Sequence, residues 1–266
     1  MTVLRVFRIA HEGSARYAIE AGGVYRLIDD EAGDLASVRE RAEAAREAGP
    51  EIIAPRILAP VSPSKVVAIG LNYRDHAAEM GKPLPPEPLM FLKPSTAVIG
   101  PGDAICIPPD AGRIDHEAEL GVVIGKRASH VPPESALEYV LGLTCLNDVT
   151  ARELQRKDVQ YTRGKGFDTF APIGPCVAIG LDSSALEIEG SVNGETRQKS
   201  NTRQLIFSVP EIIAFVSGVM TLLPGDVIAT GTPSGVGPLK AGDRVSVKIE
   251  GIGELSNTVT NWEERQ

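Results

Sequence analysis

Glycine and proline interrupt this chain at 27 and 20 of its 266 positions, and its longest apolar runs, such as Val66–Leu71 and Leu120–Ile124, last only a few residues. Punctuation of that density predicts many short strands joined by turns and excludes a bundle of long helices. Runs so short cannot cross a bilayer as helices. The opening stretch MTVLRVFRIAHEG is broken by Arg5, Arg8 and His11, so no secretory signal is expected there. Cys106, Cys145 and Cys176 are scattered, odd in number and without CxxC spacing, which disfavours a disulfide framework and a zinc ribbon. A reducing cytoplasm is the expected compartment. With 27 basic against 35 acidic residues the net charge is −8, which disfavours a nucleic-acid partner.

Residues 1–60 read as a small α+β module. Strands are expected over 3–10 and 15–20, with a Gly22-Gly23 turn into a third at 24–28. A helix over 35–48 follows, capped by Asp34 and stopped by Gly49-Pro50. The proline-bearing segment 59–63 reads as a linker into a larger body, 61–266. Strands are expected there over 65–69, 91–93, 104–107, 117–124, 143–146, 227–229, 245–249 and 253–258. Asn72 is placed to cap a short helix through Met80, and GKPLPPEP, from Gly81 to Pro88, reads as a surface flap. Capping boxes at Thr150/Glu153 and Ser208/Glu211 open two more helices. Strands and helices do not alternate strictly, so a β-rich α+β body is favoured over a doubly wound parallel sheet.

Within Arg113-Ile-Asp-His-Glu-Ala-Glu-Leu-Gly, Glu117 and Glu119 stand at i and i+2 and share one face of a strand. Adjacent carboxylates repel, and a hard cation such as Mg²⁺, Ca²⁺ or Mn²⁺ relieves the repulsion. A solvated strand edge of alternating charge gives the same tripeptide. Asp148 is a third carboxylate, and Thr150 already fits the capping position beside it. His76 and Glu79 lie at i and i+3 on one face of a helical turn. A carboxylate on the imidazole makes a general base for water, although a surface pair on an exposed helix has the same spacing. The turn from Gly231 to Gly237 offers amides and hydroxyls to an anion but lacks the ending of a P-loop, so no nucleotide is expected. Lys93 and Lys165 interrupt apolar or glycine-rich surroundings, and each needs a carboxylate or a ligand anion beside it.

The strings IGLNYRDHAAEM, FLKPSTAVIG, DHEAELGVVIG, LNDVTARELQ, GKGFDTFAPIGP and PGDVIATGTPSGVG, in this order, resemble the fumarylacetoacetate hydrolase family over roughly residues 60–260. The leading residues are similar only to the loosely related first segment of its smaller bacterial members. The resemblance implies a mixed β-roll catalytic body of the fumarylacetoacetase C-terminal type, a homodimer, and a Mg²⁺ or Mn²⁺ ion held by Glu117, Glu119 and Asp148. It also implies catalytic roles for His76, Glu79 and Lys165. Substrate contacts are implied for Thr232, Arg152 and Gln155, and Lys93 joins them as a candidate. The implied reaction is hydrolysis of a carbon–carbon bond in a 2,4-dioxo acid of the acylpyruvate or fumarylpyruvate type. Oxaloacetate decarboxylation and 2-hydroxyhepta-2,4-diene-1,7-dioate isomerisation are the neighbouring chemistries, and an inactive keto-acid-binding protein is the remote one.

Overall fold

Short β segments dominate the chain, as the glycine and proline spacing requires. The computed structural model describes residues 2–31, 35 and 37–264; Asp34, the expected helix cap, lies outside the described residues. Five α-helices are described: α1 (Val38–Ala48), α2 (Arg74–Glu79), α3 (Arg152–Asp158), α4 (Thr162–Lys165) and α5 (Val209–Val219). The body is therefore β-rich α+β.

The largest sheet has twelve strands among the described residues. From one edge they run Glu51–Ile52, Val24–Glu31, Ser14–Ala21, Leu4–His11, Ala171–Ile179, Val140–Asn147, Ala118–Ile124, Val227–Ala229, Lys65–Gly70 and Leu89–Pro94, with two short strands off this path. Leu4–His11 pairs antiparallel with Ala171–Ile179, which joins the leading hairpins to the body in one sheet. Every residue of Ala118–Ile124 is buried: Leu120, Val122 and Ile124 pack in one apolar cluster and Val123 in another. That two-sided burial explains why this strand reads as a continuous apolar run and not as an alternating one. A five-stranded sheet runs Glu195–Asn201, Glu187–Val192, Arg244–Ile249, Gly253–Asn261, Ala104–Ile107, and three short strands (Thr150–Ala151, Ile114–His116, Gly237–Leu239) form a third.

Several local expectations need correction. Thr150 caps nothing: it lies in a two-residue strand paired to Ile114–Asp115, and its hydroxyl donates to the Asp148 carbonyl. α3 starts two residues later with Ala151 at its N-cap. Asn72 does not cap α2 either; its amide donates to the carbonyls of Phe207 and Thr230 and accepts from the Phe207 N–H. Pairing of Thr150 with the distant Ile114–Asp115 strand, and of Asn72 with distant backbone groups, outcompeted the local cap. The Ser208/Glu211 capping box does form, and α5 buries Ile212, Ile213 and Val216 while leaving Val219 exposed. Strands at Ala171–Ile179, Glu187–Val192 and Glu195–Asn201 were not expected, although Asn193-Gly194 between the last two is the pair that favours a two-residue hairpin turn.

One buried acid outside the cavity clamps the sheet. Asp226 is fully buried where Val227–Ala229 begins to run parallel to Lys65–Gly70. Its carboxylate accepts from the Ser64 N–H and hydroxyl, the Lys65 N–H and ammonium, and the Leu223 N–H. Burial raises its pKa, but the Lys65 and Ser64 side chains and the Leu223 amide outweigh that and leave the carboxyl below its ordinary value. A depressed native value adds stability above the unfolded value of about 3.9, and that stability is lost as pH falls through the native one. Asp226→Asn is therefore expected to lose about 3 kcal/mol at neutral pH and to show a shallower acid limb in denaturant midpoints measured against pH. An unchanged acid limb would remove Asp226 from this role.

Candidate active site

Three acids separated in sequence meet because of one strand register. Ala118–Ile124 pairs antiparallel with Val140–Asn147 such that Ala118 faces Asn147 and Glu119 faces Leu146. Continuing that pairing by one position sets Glu117 against Asp148, and the Asp148 N–H donates to the Glu117 carbonyl at 2.9 Å. The Asn147 side chain accepts from the Glu117 N–H at 3.0 Å. One carboxylate oxygen from each of Glu117, Glu119 and Asp148 lies within 4.8 Å of the others, and all three residues are buried. A solvated strand edge is thereby excluded: Glu117 and Glu119 are only 5% and 2% exposed.

Two of the three acids carry compensating cations. The Lys165 ammonium lies 2.7 Å from Glu117 Oε2 and 2.5 Å from Asp148 Oδ2. Lys93, completely buried, donates to Asp148 Oδ1 at 2.5 Å and to the Val149 carbonyl at 3.1 Å. Arg152 donates to Glu117 Oε1 at 2.6 Å, to Asp115 Oδ2 at 2.9 Å and to Gln155 Oε1 at 2.7 Å. Burial would raise the Glu117 carboxyl, but Lys165 and Arg152 hold it well below the usual range. For Glu119, burial and the neighbouring Asp148 and Glu117 charges push the carboxyl far above it. Its Oε2 accepts only the Gly231 N–H, at 2.7 Å, and its other oxygen has no donor among the described residues.

That imbalance is the test of whether a cation fits. Three buried carboxylates converge, one has no cation hydrogen-bonded to it, and each oxygen already holding a hydrogen bond keeps a second lone pair for a metal. An all-oxygen donor set of this kind suits Mg²⁺ or Mn²⁺ better than zinc. The residues fit the group.

A cavity of about 410 Å³ opens over these acids. Its wall includes His76, Lys165, Thr232, Arg152 and Gln155, so it gathers these candidate residues from four separate segments. Lys93 and Glu79 are the exceptions: neither lines the cavity, Lys93 standing behind Asp148 and Glu79 behind His76. His76 Nδ1 lies 3.0 Å from Glu79 Oε2; the His76 side chain is 14% exposed, while that of Glu79, 46% exposed, faces solvent.

The Gly231–Gly237 turn holds anions, as its composition predicted, but they are the protein's own. Its Gly231 amide binds Glu119, and its Gly235 amide donates to Glu79 Oε1 at 3.0 Å. Gly231 has φ +103°, and a Cβ at Gly235 (φ +92°) would stand 2.0 Å from the Arg197 carbonyl, so neither position admits a side chain without displacement. The Thr232 hydroxyl donates to the Ala118 carbonyl at 3.0 Å and accepts from Gln198 Nε2 at 2.7 Å.

Gln198 is a site residue that sequence reasoning missed. Its Nε2 also donates to the Pro233 carbonyl, and its Oε1 accepts from the Ala118 N–H and faces His116 Nδ1. It reaches the site from another sheet, and only its place after the Asn-Gly hairpin marks it in the sequence. Asp115, 1% exposed and bound by Arg113 and Arg152, was likewise passed over.

Residues 65–260 match the fumarylacetoacetate (FAA) hydrolase C-terminal family. The chain is 46% identical over 216 residues to the mitochondrial oxaloacetate tautomerase FAHD2A of Bos taurus, covering 76% of this chain and 68% of that one. It superposes with a TM-score of 0.85 on the 5-carboxymethyl-2-hydroxymuconate delta-isomerase of Mycobacterium smegmatis, at 44% identity, covering 97% and 98% of the two chains. Against the maleylpyruvate hydrolase of Sphingobium sp. SYK-6, solved with manganese(II) and pyruvate, the TM-score is 0.83 at 33% identity, covering 97% and 99%. Among the described residues no helix is long and apolar enough to cross a membrane. The fold and much of the sequence thus recur in proteins named as hydrolase, isomerase and tautomerase, and this chain belongs to their family, that of fumarylacetoacetate hydrolase.

Proposed function

We propose that the chain is a Mg²⁺- or Mn²⁺-dependent hydrolase that cleaves the C3–C4 bond of 2,4-dioxo acids, the acylpyruvates, working as a homodimer in the cytoplasm. The observation that carries this reading is the imidazole of His76, clamped by Glu79 on the wall of the cavity over the acid triad. Glu117, Glu119 and Asp148 would hold the cation, which when bound supplies positive charge to polarise the 2-oxo group and its neighbouring carboxylate.

The chain's own groups account for the proton transfers. With Nδ1–H given to Glu79, the Nε2 lone pair of His76 is the base that takes a proton from water. The water oxygen adds to C4, the C3–C4 bond breaks, and its electron pair passes to C3. Protonation at C3 yields pyruvate, and the acyl half leaves as a carboxylic acid. Burial lowers the pKa of Lys165, but Asp148, Glu117 and Glu119 outweigh it, so the ammonium stays charged and faces the developing negative charge as a donor. Thr232 can give its hydroxyl proton to a substrate carboxylate only by turning it away from the Ala118 carbonyl.

The test is pyruvate release from short acylpyruvates, fumarylpyruvate and oxaloacetate, with and without Mg²⁺. Mg²⁺-dependent pyruvate from an acylpyruvate is the expected result; none from any member of the panel would end the hydrolytic reading. A second reading, proton transfer without bond cleavage, is favoured by the 46% identity to an oxaloacetate tautomerase. It would show as keto–enol interconversion of oxaloacetate, followed by absorbance, with no pyruvate formed.

A further inference from the structure

The base sits on a helix too short to hold itself in place. α2 has six residues, fewer than two turns, and an isolated helix of that length does not persist in water. Its position beside the acids is therefore set by what it is tied to. Glu79, at its C-terminal end, is tied to the Gly235 amide. The first turn is tied elsewhere. Asp75 Oδ1 accepts from the His76 N–H at 2.7 Å, and Asp75 Oδ2 accepts from the Ser200 hydroxyl at 2.5 Å. The second contact spans 125 residues of sequence and joins α2 to the strand Glu195–Asn201 of the five-stranded sheet.

That strand also holds the acids. Ser200 stands two positions after Gln198, in a stretch of regular pairing where Gln198 faces Gly190 and Ser200 faces Ile188, so the two side chains leave the strand on one face. Gln198 Oε1 accepts from the Ala118 N–H at 2.9 Å, midway between Glu117 and Glu119. The approach depends on Gly190, where a Cβ would stand 3.0 Å from both the Ala118 Cβ and Gln198 Oε1. One strand thus grips both halves of the site: Gln198 takes the strand of the acids, and Ser200 takes the helix of the base. Neither Asp75 nor Ser200 lines the cavity, so a ligand over the acids meets neither of them.

We propose that Asp75 and Ser200 are positioning residues: their hydrogen bond fixes His76 relative to the acid triad, and they act on the reaction only through that imidazole. The role rests on His76 being the base. Both residues are half-buried, so water replaces whichever partner is removed and the fold survives the loss.

The experiment combines kinetics with hydrogen exchange. With an acylpyruvate and Mg²⁺, Ser200→Ala should lower kcat about tenfold and leave KM unchanged, as misplacing a base does. Asp75→Ala/Ser200→Ala should be no slower than Asp75→Ala alone, because both changes cut one contact. In a His76→Ala chain, whose residual activity no longer uses the imidazole, adding Ser200→Ala should cost nothing further. Exchange needs no substrate: the Ala77 and Met80 amides, bonded to the Tyr73 and His76 carbonyls, should exchange about tenfold faster in Ser200→Ala while α5 is unchanged. A contact that merely supports the fold would lower activity equally with and without His76, and that result would overturn the role. So would additive losses in the double variant, a rise in KM with kcat intact, or unchanged exchange in α2. If no acylpyruvate is cleaved but α2 alone exchanges faster, the hydrolytic reading falls and the tether stands. If cleavage is Mg²⁺-dependent and untouched by Ser200→Ala, hydrolysis stands and the positioning role falls.

Discussion

Glu119→Gln is expected to be inactive and at least as stable as the parent chain. The Glu119 carboxylate is buried, faces Glu117 and Asp148, and is the member of the triad with no cation hydrogen-bonded to it. Removing its charge relieves repulsion in the cation-free protein. Glutamine keeps a carbonyl oxygen for the Gly231 N–H, whereas Glu119→Ala would orphan that amide at a cost of about 1–3 kcal/mol. Changes one shell further out from a metal typically cost 10–100-fold, so loss of a ligand should lower activity by more than about 100-fold. The parent should gain about 2.7 kcal/mol of stability at Mg²⁺ a hundredfold above its dissociation constant, and the variant should gain almost none. Thermal melts with and without Mg²⁺, run beside the pyruvate assay, decide the matter. Parental activity at micromolar metal, or a parental shift on adding Mg²⁺, would strike Glu119 from the ligand set.

His76→Ala should lower acylpyruvate cleavage by about 10²–10⁴-fold, the usual contribution of a positioned base. The Mg²⁺-induced rise in melting temperature should remain, since His76 touches none of the three acids. Its recorded side-chain partner is Glu79, which in turn is held by the Gly235 amide. Comparison with oxaloacetate tautomerisation separates two tasks for the imidazole. Loss of cleavage with tautomerisation spared identifies His76 as the group that activates water. Equal loss of both would make it a base for the carbon acid instead, and the second reading would take precedence.

The acid triad was legible because it depends on two local facts: an i, i+2 pair at the start of a buried strand, and an unpaired carboxylate after the neighbouring strand. The resemblance joined them, and the 118↔147 register supplies the physical reason they meet. Thr150 and Asn72 were misread for one shared reason. Each carries the right side chain for a cap, but contacts far away in sequence took precedence: Thr150 is drawn into a strand paired to Ile114–Asp115, and Asn72 binds Phe207 and Thr230. Gln198 and Asp115 were invisible because their value is wholly tertiary: nothing adjacent to either announces a role, and both act by holding other groups in place. Ala171–Ile179 was hidden by Pro172 and Pro175, which depress strand propensity although the segment is buried and paired.

The Gly231–Gly237 turn acts as a yoke, one short ribbon of backbone fastened to Glu119 at one end and to Glu79 near the other. Any substitution that shifts the ribbon disturbs the cation seat and the base together, so neither half of the machinery can be retuned alone.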